Sequence, residues 1–169
     1  MRLKNDTAMR KRFFHPSAMS HPAKLHCGLF LECMERYTKP GDVILDVMGG
    51  IGTALLATMY GRSVIINEME SHFLETIPKS WAKIQQNGPA LGYSLGEVLI
   101  IRGDARCLAL NSADCVVTSP PYEAVVSSPS HGIDMEKRGR GDGGVFFNSP
   151  YSYTRPVDAI VTSPPYEGS

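Results

Sequence analysis

A chain of 169 residues supports one domain with a real core, and a hydrophobic fraction of 43% lies far from a disordered composition. Lysine plus arginine balances aspartate plus glutamate at 17 each, so net charge gives no support for nucleic-acid binding. No apolar run approaches a membrane span and no signal peptide is visible, which favours a soluble, cytoplasmic protein without a membrane partner.

In chain order, residues 1–20 lack periodicity and are expected to be a flexible lead-in. Their basic residues Arg2, Lys4, Arg10, Lys11 and Arg12 suit either a solvated tail or a phosphate-binding arm. From Lys24 to Tyr37, the apolar residues Leu25, Leu29, Phe30, Cys33, Met34 and Tyr37 recur at helical spacing. Pro40-Gly41 ends that helix, and Val43-Ile44-Leu45 reads as a buried strand closed by Asp46. A tight glycine turn, Gly49 to Gly52, leads into a helix over Thr53 to Tyr60. A second strand over Ser63 to Ile66 ends at Asn67-Glu68. A helix over Glu70 to Gln86 follows, with Pro78 as a kink or break. A third strand covers Glu97 to Ile101, and a fourth Asp114 to Val117. Alternating strands and helices predict an α/β fold with a doubly wound, mostly parallel sheet.

Residues 124–156 change character. They are rich in Gly, Ser, Pro and Arg, and they cannot bury enough apolar surface to order themselves, so a flexible insertion is expected. Cys27, Cys33, Cys107 and Cys115 show no CxxC spacing, which argues against a zinc ribbon or a redox pair. His15, His21 and His26 near Cys27 match no known ligand spacing, so no metal site is expected.

The most specific feature is a repeat. Thr118-Ser119-Pro120-Pro121-Tyr122-Glu123 recurs letter for letter from Thr162 through Ser163, Pro164, Pro165 and Tyr166 to Glu167. Each copy follows a short apolar run opened by an acid, Asp114 or Asp158. A strand ending in a polar residue, two prolines and an aromatic ring suits a rigid loop at the carboxyl end of a parallel strand, where open α/β sheets bind ligands. The bland alternative is a polyproline-like loop.

Beside it, the turn Gly50-Ile51-Gly52-Thr53 lets the backbone approach a ligand and opens a helix whose N–H groups suit an anion. Glu68 is placed to accept both hydroxyls of a ribose, and Asp104 to accept from an adenine amino group. Three acids at strand carboxyl ends converge on one crevice if the sheet is parallel. No GxxxxGK[ST] loop is present, which disfavours a triphosphate cradle.

With these residues in view, the chain resembles the S-adenosylmethionine-dependent DNA methyltransferases that modify N4 of cytosine or N6 of adenine. The resemblance covers residues 20 to 123 and the second hexapeptide. His21-Pro22-Ala23-Lys24 is similar to the segment that helps hold the methionine part of the cofactor. Asp46-Val47-Met48-Gly49-Gly50-Ile51-Gly52-Thr53 is similar to the family's Asp-Pro-Phe-x-Gly-x-Gly-Thr loop, departing at Val47 and Met48. Glu68 and Asp104 match its ribose and adenine positions, and Thr-Ser-Pro-Pro-Tyr matches its catalytic loop in the form that leans toward cytosine N4. The resemblance implies a Rossmann-like methyltransferase fold and S-adenosylmethionine as cofactor. It further implies duplex DNA as partner, with the target base flipped out, and catalytic residues Ser119, Pro120, Pro121 and Tyr122, or else Ser163, Pro164, Pro165 and Tyr166.

Ser119 Oγ and the Pro120 carbonyl would accept the two N–H bonds of the exocyclic amine, the prolines would fix that geometry, and Tyr122 would stack on the base. The expected organisation is therefore a flexible segment 1–20, a cofactor-binding domain 21–123 carrying the first catalytic loop, an insertion 124–156, and a duplicated strand and loop over 157–169. Family members continue past this loop. The expectation is thus a truncated chain with a half-sheet, incomplete on its C-terminal side, that a partner chain would complete. An RNA base-amino methyltransferase and an inactive cofactor-binding remnant are the alternatives.

Overall fold

A computed structural model describes residues 5–20, 24–108, 113–118, 144–145 and 159–162. Its centre is a parallel sheet built from β1 (Val43–Asp46), β2 (Ser63–Glu68), β3 (Val98–Arg102) and β4 (Cys115–Thr118). The two-residue β5 (Gly144–Val145) runs antiparallel beside β3, and β6 (Ala159–Thr162) runs parallel beside β4. The spatial order is β5-β3-β2-β1-β4-β6, so the chain steps outward from β1 through β2 to β3 and then returns to the other side of β1. That reversal is the doubly wound arrangement, and the crevice it opens lies at the carboxyl ends of β1 and β4.

The strands are short and β-branched, and their alternation sorts two faces. Ile44, Val64, Ile66, Ile100, Cys115 and Val117 join the main core with Phe30 and Met34 of α2 (Cys27–Tyr37) and Leu74, Ile77 and Ile84 of α3 (Ser71–Asn87). Leu45 and Ile65 face the other way, into a smaller cluster with Ala113, Leu99 and Ile101. Asp114 explains why an acid opens the fourth strand. Its backbone N–H donates to the Val43 carbonyl at 2.9 Å and its carboxylate accepts from the Val43 N–H at 2.7 Å, which fixes how β4 meets β1.

Several sequence expectations are corrected. Residues 5–20 are not a loose lead-in: they form α1 (Thr7–Phe13) and a 3-10 turn over Pro16–Ser20, with Phe14 and Ala18 fully buried. Their apolar anchors are too few and too irregular in spacing to register as a period. Thr53–Tyr60 is a 3-10 helix, buried on nearly every side. Pro78 sits inside an uninterrupted α3, because one lost backbone bond is outweighed by the burial of Phe73, Leu74, Ile77 and Ile84 around it. The second copy of the repeated strand takes its own place in the sheet. It is a neighbour of the first, in register from Cys115 opposite Ala159 to Thr118 opposite Thr162. Within the expected insertion, Gly144–Val145 pairs with β3, while 124–143 and 146–156 lie outside the described residues.

The loop entering β3 is pressed against the one entering β2. A side chain at Gly96 would place its Cβ 1.8 Å from the Arg62 carbonyl oxygen, a backbone atom that cannot step aside alone. Arg62 is itself fixed, donating to the Thr38 carbonyl and the Tyr60 carbonyl, each at 2.8 Å. Gly96→Ala is expected to lower unfolding free energy by about 1–3 kcal/mol, the usual cost of overpacking. A urea titration checks this through a lower midpoint at unchanged slope. A midpoint equal to that of the parent chain would contradict the packing described.

Candidate functional site

The carboxyl ends of β1, β2 and β3 meet around one side chain that the sequence reading passed over. Asn67, 1% exposed, donates from Nδ2 to the Val47 carbonyl at 3.1 Å and to the Gly103 carbonyl at 3.0 Å. Two carbonyl acceptors on one amide nitrogen fix its orientation. The backbone completes the knot: Gly49 N–H donates to the Asn67 carbonyl at 2.9 Å, and Gly103 N–H to the Glu68 carbonyl at 3.1 Å. Gly49 and Gly103 are pinned by this packing, since a Cβ on Gly49 would lie 2.2 Å from Ile66 Cγ2 and one on Gly103 would lie 2.8 Å from Asn67 Oδ1. In the sequence Asn67 is only an amide beside an acid at a strand end, which does not by itself mark a strut.

The glycine turn is built for its backbone. Gly50 and Gly52 have positive φ, 50° and 80°, and Gly52 N–H closes the turn onto the Gly49 carbonyl at 2.7 Å. Glu68 reaches across to the turn. Its Oε2 accepts from Gly50 N–H at 2.6 Å, and Oε1 accepts from Met69 and Glu70 N–H at 2.7 and 2.8 Å. Burial raises the Glu68 carboxyl above its ordinary range, opposed by those three N–H bonds. Asp46 is buried nearby, with Oδ1 accepting from Met48 N–H at 3.2 Å. Burial pushes it up to about 7, the Met48 bond opposing and the Glu68 charge adding.

Asp104 stands at the end of the β3 exit. It caps a 3-10 turn over Ala105–Cys107 by accepting from Arg106 N–H at 2.9 Å, and its carboxylate is forked by the Arg106 guanidinium. Arg106 is exposed, so it can swing away when another donor competes for Asp104. Thr53 begins the 3-10 helix behind the turn, its Oγ1 3.5 Å from the Leu25 carbonyl. Lys24 donates to the Met19 carbonyl at 3.3 Å, and burial lowers its pKa, with the Arg10 charge in the same direction.

The structure thus brings Asp46, Gly50, Gly52, Thr53, Glu68 and Asp104 to one edge of the sheet. His21 and Pro22 lie outside the described residues, as do Ser119, Pro120, Pro121 and Tyr122 and their second copies Ser163, Pro164, Pro165 and Tyr166. Their supporting strands β4 and β6 end at this same edge. His26 serves as the N-cap of α2, accepting from Leu29 N–H at 3.3 Å, and His15 Nδ1 pairs with Ser17 at 2.8 Å. Among the described residues no three His, Cys, Asp or Glu side chains gather as metal ligands, and no helix is long and apolar enough to cross a membrane.

Chemically, the edge offers two buried carboxylates that make no salt bridge among the described residues. It also offers a buried hydroxyl at the tip of β4, Thr118 Oγ1, without a hydrogen-bond partner among the described residues. Buried acids lacking a counter-charge suit a ligand that carries hydroxyls and positive charge. The edge is therefore chemically compatible with S-adenosylmethionine, which carries ribose hydroxyls and a positive charge.

No family model and no curated protein matches the sequence. Solved structures do. TrmN from Thermus thermophilus is similar at a TM-score of 0.50 and 24% identity, over 69% of this chain and 33% of that one. A methyltransferase from Pyrococcus furiosus is similar at 0.47 and 16%, over 75% and 61%. A dimethyladenosine transferase from Plasmodium falciparum is similar at 0.43 and 22%, over 64% and 36%. The TrmN likeness establishes the Rossmann-like methyltransferase fold, and the chain spans about a third of the length of that protein.

The raised Asp46 carboxyl has a consequence for stability. A folded-state pKa raised from 3.8 to about 7 means that the native chain keeps a proton the unfolded chain releases, so stability falls as pH rises through that window and the loss is complete above it. Asp46→Asn keeps an oxygen for Met48 N–H and removes the penalty. The variant is expected to melt above the parent at pH 8 and close to it at pH 4, as differential scanning calorimetry would measure. A difference that does not vary with pH would contradict the buried-acid description.

Proposed function

We propose that this chain binds S-adenosylmethionine across the carboxyl ends of β1, β2 and β3 and transfers a methyl group to an exocyclic amino group of a nucleic-acid base. Duplex DNA, with cytosine N4 ahead of adenine N6, is the preferred substrate. One observation carries the reading. β4, which runs directly into Ser119-Pro120-Pro121-Tyr122, pairs with β1, which runs directly into the glycine turn. The crevice between them is where an open α/β sheet binds its ligand.

The cofactor supplies, when bound, a methyl group on a positively charged sulfur. The chain's own residues do the rest. Glu68 accepts from hydroxyls of a ribose, Asp104 from a base amino group in exchange for Arg106, and Asp46, once ionised, favours a cationic ligand. An amine conjugated to its ring is a weak nucleophile, so the loop must aim its lone pair. Ser119 Oγ and the Pro120 carbonyl accept its two N–H bonds, and consecutive prolines restrict the backbone so that these acceptors are held ready. Tyr122 stacks on the flipped base.

Because β6 lies one strand farther from β1 than β4 does, the first copy of the loop is the catalytic one in this reading. Tritiated methyl transfer from S-adenosylmethionine, measured with duplex DNA and with RNA in parallel, tests the proposal. Tyr122→Ala is expected to slow transfer roughly 10–100-fold, matching a lost base stacking contact of about 1–3 kcal/mol, and to leave cofactor affinity intact. Tyr166→Ala is expected to cost much less. Transfer to RNA alone would move the substrate from DNA to RNA, and cofactor binding without transfer to either would mark an inactive remnant. Equal losses in both tyrosine variants would sink the assignment of the first loop.

A further inference from the structure

Outside the acids of the crevice, one buried charged group has donors to spare. Arg10 of α1 is 5% exposed. Its Nη2 pairs with Asp6 at 2.7 Å and donates to the Leu25 carbonyl at 2.6 Å, while its Nη1 is buried with no hydrogen-bond partner among the described residues. A buried guanidinium donor without an acceptor is costly, so such a group calls for an explanation.

Its location supplies one. Leu25 lies two residues before α2, and its carbonyl is approached by Thr53 at the end of the glycine turn, so the start of α2 lies beside that turn. Asp6 is fastened to that first turn, its Oδ2 accepting from Cys27 N–H at 2.8 Å. The Leu25 carbonyl that takes Arg10 Nη2 is also the one that Thr53 Oγ1 approaches at 3.5 Å, a distance at the limit of a hydrogen bond, which leaves the hydroxyl ready to turn elsewhere. Thr53 is the first residue of the eight-residue helix after the turn. One carbonyl therefore holds Arg10 by its Nη2 and is approached by the weakly held Thr53 hydroxyl, which brings a guanidinium with a spare N–H and a hydroxyl to the same helix start. A planar guanidinium fork is the side chain best matched to a carboxylate.

We infer that Arg10 and Thr53 together receive the carboxylate at the amino-acid end of the methyl donor, which makes the amino-terminal helix part of the cofactor site. This rests on the methyl-donor reading above and adds to it a residue from a segment that the sequence marks as a loose tail. Asp6 acts at one remove: it holds the guanidinium in place and locks α1 to α2.

Calorimetric titration of the full chain with S-adenosylhomocysteine and with 5′-methylthioadenosine tests the inference. The second compound keeps adenosine and sulfur but lacks the amino-acid end. Arg10→Lys keeps a cation near Asp6 and withdraws the second planar donor, and Thr53→Ala removes the hydroxyl. Each variant is expected to bind S-adenosylhomocysteine about tenfold or more weakly, as loss of a hydrogen bond to a charged group implies. Binding of 5′-methylthioadenosine and the thermal midpoint should both stay near those of the parent. Unchanged S-adenosylhomocysteine affinity in Arg10→Lys, or an equal loss for both compounds, would overturn the role of Arg10 and leave the methyl-donor reading standing. A parent chain that binds neither compound would overturn that reading, and this inference with it.

Discussion

The two residues that end β2 hold the site together. Asn67 reaches sideways to the exits of both β1 and β3, and Glu68 reaches forward to the Gly50 N–H of the turn. Neighbouring side chains on a strand point to opposite faces, so one can serve as a buried strut while the next serves the crevice. The strut is needed because three of the four turn residues, Gly49, Gly50 and Gly52, have no side chains with which to fix themselves. Without the Asn67 amide, the Val47 and Gly103 carbonyls would be left as buried acceptors, and the three strand ends would lose their common reference.

Glu68 also describes the site before any ligand arrives. Three backbone N–H groups occupy its two oxygens from one side, at 2.6–2.8 Å. A carboxylate has room for further donors, so a ribose need not expel all of them. Arg106 does the same for Asp104 from solvent. The acids are thus held in place by backbone N–H groups and an exposed, movable guanidinium rather than by buried cations, which would have to be stripped away at much greater cost.

Much of this was legible in the sequence, and the reason differs from element to element. The strands announced themselves because parallel strands are continuous apolar runs, and β1 to β4 fall within a residue or so of their expected places. Asp46, Glu68 and Asp104 were found because each directly closes or follows such a run. Asn67 was missed because nothing in a lone amide distinguishes a strut from a surface residue. Arg10 was missed because its burial depends on Asp6 four residues earlier and on a carbonyl 15 residues later, a contact no local period reports. The helical packing of 5–20 was hidden for the same reason: Phe14 and Ala18 join the main core and the segment packs against α3, with His15, Pro16 and Ser17 between the two anchors.

The in-register pairing of β4 with β6 sets the folding chain a problem of identity. Cys115-Val116-Val117-Thr118 and Ala159-Ile160-Val161-Thr162 are near copies, and only one can occupy the slot against β1. The nearer strand begins 13 residues beyond the end of β3 (115 − 102) and the farther one 57 (159 − 102). Loop-closure entropy prefers the nearer by only about 1 kcal/mol. The Asp114 clasp on Val43 cannot decide it, because Asp158 opens the second copy at the same place. Most of the choice must therefore fall to the positions that differ, Cys115 and Val116 against Ala159 and Ile160, and a molecule that chose wrongly would present the other copy of its signature loop to the same crevice.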